Sequence, residues 1–129
     1  MNQQKFLSPT QINDLEPMLI YICAPLRGDV EANIAKAKQY AREIFLQGDI
    51  PICPHIYFPQ FASVNVSQED RAAMDMGLEL LKRCHYINVY ADPPTSGMQA
   101  EIAFAKQNHI PVVNISLTKE KPRNKYACR

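Results

Sequence analysis

Met18-Leu19-Ile20-Tyr21-Ile22-Cys23 is a continuous apolar run, closed by Ala24-Pro25. It is too short for a helix, and it lacks the alternation of a strand with one wet face. Such a run is a strand buried on both faces, the kind that parallel sheets contain. Working outward, Asp29 can cap a helix starting at Val30. Val30, Ile34, Ala37, Ala41, Ile44 and Phe45 follow the three-and-four spacing of one buried face, and Gly48 ends the helix. Ile50-Pro51-Ile52-Cys53 is the next strand. Residues 54–66 carry two prolines and three aromatics without a helical period and read as a long loop. Ser67-Gln68-Glu69-Asp70 has the form of a helix start, and Met74, Leu78 and Leu81 continue it as a core stripe. Tyr86–Tyr90 is a third strand. Ser96 with Gln99 forms a capping box opening a helix from Gly97 to about Asn108, and Val112–Ile115 is a fourth strand.

Strands alternating with helices predict an α/β fold of three layers, α/β/α, around a parallel sheet of at least four strands. Right-handed crossovers favour the flavodoxin-like or Rossmann-like order 2-1-3-4. Ile20, Ile22, Ile52, Ile87, Val89 and Val113 are the expected core of the sheet. The domain spans 18–117, between an N-terminal arm (1–17) and a basic C-terminal tail (118–129).

Composition bounds the function. The 129 residues make about one domain; 47% are hydrophobic and 21% charged, which argues against disorder. Fourteen Lys and Arg against thirteen Asp and Glu give +1, which removes the electrostatic case for a nucleic-acid polymer as partner. No apolar run is long enough to span a membrane. The first residues have no apolar core of a signal peptide, so a cytoplasmic location is expected. Cys23, Cys53, Cys84 and Cys128 are 30, 31 and 44 residues apart. That spacing fits neither a metal knuckle nor a redox pair, and it reads as free thiols.

In an open parallel sheet, ligands bind beyond the carboxyl ends of the strands. Three segments converge there: Ala24–Asp29, Pro54–Phe58 and Asp92–Glu101. Free amides at Gly97, Met98 and Gln99, with the helix dipole, make an anion site after strand three, and Ser96 opens it. Glu101 lies one turn deeper on the face of Gly97. Arg27, with Gly28 and Asp29 beside it, stands where a phosphate-directed cation works, although Asp29 also reads simply as a cap. His55 titrates near neutral pH and can act as acid or base. Tyr57, Phe58 and Phe61 can wall a base or sugar, or cover a partner subunit. Asp92 is either a ligand contact or a turn former before Pro93-Pro94. No phosphate loop, dinucleotide fingerprint or serine-hydrolase elbow is present. The dispersed His55, His85 and His109 argue against a metal site, and no cofactor is expected.

Ile20-Tyr21-Ile22-Cys23-Ala24-Pro25 resembles the opening strand of the nucleoside 2-deoxyribosyltransferase superfamily, and Gly97–Glu101 resembles its G-x-x-x-E segment. Ala24–Asp29, Pro54–Phe61 and Met76–Leu81 extend the likeness over about residues 18–115, toward an uncharacterised bacterial and phage branch. The resemblance implies cleavage of the N-glycosidic bond of a nucleoside or nucleotide, with Glu101 as nucleophile and Tyr21 positioning it. It also implies a homo-oligomer in which a neighbouring chain completes the pocket. The second carboxylate of such enzymes has no match: His85 occupies one expected position, and Gly77, two residues from Asp75, the other.

Three functions compete at this point. One is a transferase or hydrolase acting on the N-glycosidic bond. The second is a non-catalytic nucleotide-binding or sensor module of the same fold. The third is a structural protein whose aromatic loop forms an interface. An ionised Glu101 open to a pocket distinguishes the first.

Overall fold

Alternation along the first strand assigns its side chains to two different cores. In the computed structural model, which describes residues 16–117 and 123–127, β1 (Leu19–Cys23) turns Ile20 and Ile22 to one face and Tyr21 and Cys23 to the other. On the first face, Ile20, Ile22 and Ala24 pack with Ile44 of α1 (Val30–Leu46). On the second, Tyr21, Cys23, Ile87 and Val89 pack with Leu81 of α3 (Ser67–Lys82) and with Met98 and Ala105 of α4 (Ser96–Gln107). Each fully buried large aliphatic side chain stabilises the fold by roughly 1.5–3 kcal/mol.

The remaining elements are β2 (Ile50–Ile52), the single-turn α2 (Pro54–Tyr57), β3 (Tyr86–Val89) and β4 (Val112–Asn114), with short 3-10 turns at Phe58–Gln60 and Ile115–Leu117. The four strands form one parallel sheet of order 2-1-3-4, as the sequence pattern predicts. Tyr21 pairs in register with Ile52 and Ile87. Ile52 and Val113 are only half-buried, because β2 and β4 are the edges of the sheet.

Local chemistry sets the boundaries. The Asp29 carboxylate accepts from the Ala32 amide at 3.1 Å and caps α1, and Gly48, at φ +95°, takes the left-handed turn that follows it. Three expectations change. Residues 54–66 are not all loop, since Pro54, with its fixed φ, nucleates the short α2. Ser67 does not cap α3; Val66 precedes it without a side-chain cap. Ser96 does not cap α4 either. Thr95, extended after Pro94, accepts from the Met98 amide at 3.3 Å, and Gln99 turns back to the Pro94 carbonyl at 3.1 Å.

Phe45 is exposed rather than buried and stacks on Tyr126 at 5.5 Å. The Lys125 amide donates to the Leu46 carbonyl at 2.6 Å, so residues 123–127, although exposed, are fastened to the end of α1. Residues 1–15, 118–122 and 128–129, with Cys128 and most of the expected arm, lie outside the described residues. Cys23, Cys53 and Cys84 are free thiols. Among the described residues, no helix is long and apolar enough to cross a membrane.

Candidate functional site

Tyr21 reaches the site because odd-numbered side chains of β1 face α3 and α4. Glu101 reaches it because it lies on the inner side of α4, one turn from the buried Met98 and Ala105. The Tyr21 hydroxyl donates to Glu101 Oε2 at 2.5 Å. Burial raises the Glu101 pKa above its ordinary value; the Tyr21 hydrogen bond, and then the Cys23 thiol, oppose that rise. Burial and the neighbouring carboxylate push the Tyr21 phenol well upward, so it remains a donor.

The pair forms one wall of a cleft of about 480 Å³ at the carboxyl ends of the strands. The β1–α1 loop contributes Ala24 to Arg27, and Pro54, His55, Phe58 and Pro59 come from the segment after β2. Asp70, Met74, Gly77 and Leu78 come from α3, and Thr95 to Met98 open α4. The lining is mainly apolar with a few convergent polar groups, as small-molecule pockets commonly are.

Two features shape the mouth. Arg27 donates to Asp70 at 2.6 Å, bridging the β1–α1 loop and α3. Asn33 donates to the Leu26 and Arg27 carbonyls, each at 3.0 Å, and so fixes that loop from α1. The anion corner is smaller than the sequence suggests. Thr95 takes the Met98 and Gln99 amides, and Ser96 and Gly97 line the cleft.

His55 lines the cleft with its Nδ1 buried and unpartnered. Burial lowers its pKa and the nearby Arg27 lowers it further, so the imidazole is neutral at pH 7. Burial also pushes the Cys53 thiol to about 11, which makes it inert as a nucleophile.

Of the candidates from sequence, the structure brings Tyr21, Arg27, His55, Ser96, Gly97, Met98 and Glu101 to one cleft. Gly28, Asp29, Tyr57 and Asp92 are not among its lining residues. Gly28 serves a turn at φ +93°, and Asp29 is the α1 cap. Asp92 is exposed in the turn before Pro93. Tyr57 is 58% exposed and packs edge-on to Phe61 at 4.9 Å, because the turn of α2 carries it out of the cleft. Met74, expected in the core, is exposed and lines the cleft.

His85 is excluded by position. Its Nδ1 accepts the Leu19 amide at 2.8 Å, at the opposite end of β1 from the cleft. Asp70, Asn33 and Thr95 were missed by sequence reasoning. Only Thr95 carried a local signal, as a capping residue two positions after Pro93. Among the described residues, no cluster of His, Cys, Asp and Glu is suited to a metal ion.

This arrangement of sheet and helices has known counterparts. A 2-deoxyribosyltransferase from the psychrotolerant bacterium Bacillus psychrosaccharolyticus superposes with a TM-score of 0.58 at 18% identity, over 80% of this chain and 75% of that one. A 2-deoxyribosyltransferase from Leishmania mexicana gives 0.58 at 16% identity, over 76% of this chain and 63% of that one. The fold is therefore that of the 2-deoxyribosyltransferases. Residues 18–115 match the family described as Domain of unknown function (DUF7768), and the chain belongs to that family. No curated protein sequence matches it.

Proposed function

We propose that this protein is an enzyme of the nucleoside 2-deoxyribosyltransferase superfamily and acts on the N-glycosidic bond of a deoxynucleoside or deoxynucleotide. The observation that carries the reading is a half-buried carboxylate, Glu101, oriented by the Tyr21 hydroxyl at the wall of an apolar cleft. A glycosidase-type nucleophile needs those properties: an anion held in place beside a developing oxocarbenium ion.

In the proposed reaction a Glu101 carboxylate oxygen attacks C1′. The bond from C1′ to the base nitrogen breaks, and its electron pair leaves with the base, which takes up a proton. A second base nitrogen, or water, then attacks C1′ and releases the carboxylate, losing a proton in the process. Tyr21 is the positioning residue for Glu101. His55, neutral and lining the cleft, is the residue assigned to hydrogen-bond the departing base. Arg27 and the Ser96 and Gly97 amides are assigned to a 5′ substituent. The exposed Tyr57 and Phe61, near the mouth, are assigned to contact with a second copy of the chain.

A second reading, a binding module without turnover, is favoured by the other carboxylates of the cleft. Asp70 is paired with Arg27, and Glu69 accepts from the Ser63 amide at 3.0 Å, so neither is free to serve as an acid. Purified protein incubated with deoxynucleosides and deoxynucleotides, with a second free base present, decides between the two. Free base or a new nucleoside in the chromatogram supports the enzyme; binding with unchanged substrate supports the module.

A further inference from the structure

A second, smaller cavity lies across the Ala24–Pro25 segment from the cleft. Those two residues line both, but its other walls come from Asn33, Lys36 and Tyr40 of α1 and from Tyr90 and Ala91 after β3. The cleft belongs to the α3 and α4 side of the sheet, and this cavity to the α1 side. Its volume is about 180 Å³. That is room for about six waters, and below the roughly 300–1,000 Å³ of pockets that take drug-sized ligands. Tyr40 and Tyr90 stack at 4.0 Å, so one wall is a packed aromatic pair.

The polar atoms left to a ligand are of two kinds. Lys36 supplies donors and a positive charge, and among the described residues it has no ion-pair partner. The Tyr90 hydroxyl accepts from Asn88 Nδ2 at 3.1 Å, so its own proton remains to be donated. Asn33 commits Nδ2 to the Leu26 and Arg27 carbonyls, which leaves Oδ1, an acceptor. Among the described residues no carboxylate lines this cavity, whereas the cleft arginine, Arg27, is already paired with Asp70.

We propose that this cavity is a second ligand site, specific for a protonated oxyanion, with hydrogen phosphate as the species that fits. Lys36 and the Tyr90 hydroxyl donate to phosphate oxygens, and the phosphate hydroxyl donates to Asn33 Oδ1. Sulfate has the same shape and charge but no proton, so it sets an anionic oxygen against that acceptor. Donation to Oδ1 polarises the Asn33 carboxamide and strengthens its two Nδ2 bonds. Phosphate here therefore tightens the β1–α1 loop that carries Arg27 into the cleft. The site does not rest on the glycosyl-transfer reading.

Titration of the full chain with inorganic phosphate at constant ionic strength, followed by amide NMR shifts, tests this without any turnover. Saturable shifts centred on Asn33, Lys36 and Tyr90 are expected, with sulfate about tenfold weaker or more. Lys36→Ala should weaken phosphate by about tenfold or more. Lys38→Ala, an exposed lysine of the same helix outside the cavity, should leave it unchanged. Equal affinity for sulfate would overturn the proposal. So would shifts centred on Gly97 and Glu101, which would place the anion in the cleft. Shifts that never saturate, or an equal loss in Lys38→Ala, would reduce the effect to general attraction by surface lysines and would also overturn it.

Discussion

Tyr21 and Glu101, eighty residues apart in sequence, meet through a 2.5 Å hydrogen bond at the wall of the cleft. One comes from the central strand β1 and the other from α4, so the sheet and the helix layer must both be in place before the pair exists. Tyr21→Phe tests its worth. The ring still fills the core, but the half-buried carboxylate loses its donor, which costs about 1–3 kcal/mol of stability. Turnover should fall by about 10²–10³, because Glu101 is no longer held in line. Chemical denaturation and steady-state kinetics on the same preparation check both figures.

Glu101 itself is held at the expense of stability. Its folded pKa lies above the unfolded value near 4.5, chiefly through burial. In that window the folded state binds more protons than the unfolded one, so stability is lost as pH rises through the folded pKa. Glu101→Gln removes the ionisation, and at pH 7–8 it should be more stable than wild type. The gap should narrow toward pH 4. Denaturation midpoints across that pH range read it directly, and a variant less stable at pH 8 than wild type would contradict the assignment.

His55 titrates with the opposite consequence. Burial first, and Arg27 second, hold its folded pKa below the ordinary 6.5. Between those values the unfolded chain binds the extra proton, so stability rises with pH and is lost as pH falls below about 6.5. His55→Asn should remove that part of the acid sensitivity. The slope of stability against pH between 6.5 and 5 should be shallower in the variant, and equal slopes would remove His55 from the balance.

The Arg27–Asp70 contact is short, 2.6 Å, yet the arginine side chain is 65% exposed. Solvent screening holds the coupling of such a pair to about 0.2–1 kcal/mol, and salt weakens it further. A double-mutant cycle of Arg27→Ala and Asp70→Ala measures that coupling. In kinetics, Arg27→Ala should raise KM for a deoxynucleoside 5′-monophosphate at least tenfold more than for the unphosphorylated deoxynucleoside. Equal effects on both would place the 5′ group elsewhere.

Tyr57 and Phe61, 58% and 63% exposed, form an aromatic patch with Phe58. A chain that associates through this patch should sediment as a homodimer at micromolar concentration, and Phe61→Ser should shift it toward monomer. A monomeric wild type across the concentration range would remove the patch from the account.

The sheet was legible because continuous apolar runs between helical periods specify a buried parallel sheet, and Ile20, Ile22, Ile87 and Val89 are buried as that pattern requires. The site was legible in part for the same reason: strand ends and a helix start bring Tyr21, Arg27, His55 and Glu101 together. The rest depended on direction within short segments. One turn of helix from Pro54 carries His55 inward and Tyr57 outward, and no local pattern distinguishes them. Thr95 displaced Ser96 as the cap because the residue after Pro94 was already extended. Asp70 and Gly77 reach the cleft through the packing of α3, a long-range outcome that residue type alone does not signal.

The central claim is that Glu101 becomes glycosylated during turnover. A 2′-fluoro-2′-deoxyarabinosyl nucleoside slows departure from such an intermediate, because fluorine destabilises the oxocarbenium-like transition state. Intact mass after incubation, followed by peptide mapping, reads the adduct. The account predicts one fluoropentosyl group on the peptide containing Glu101, released on addition of a free base, and no adduct in Glu101→Gln. Base release by the wild type with no adduct, or with undiminished turnover in Glu101→Gln, would contradict it.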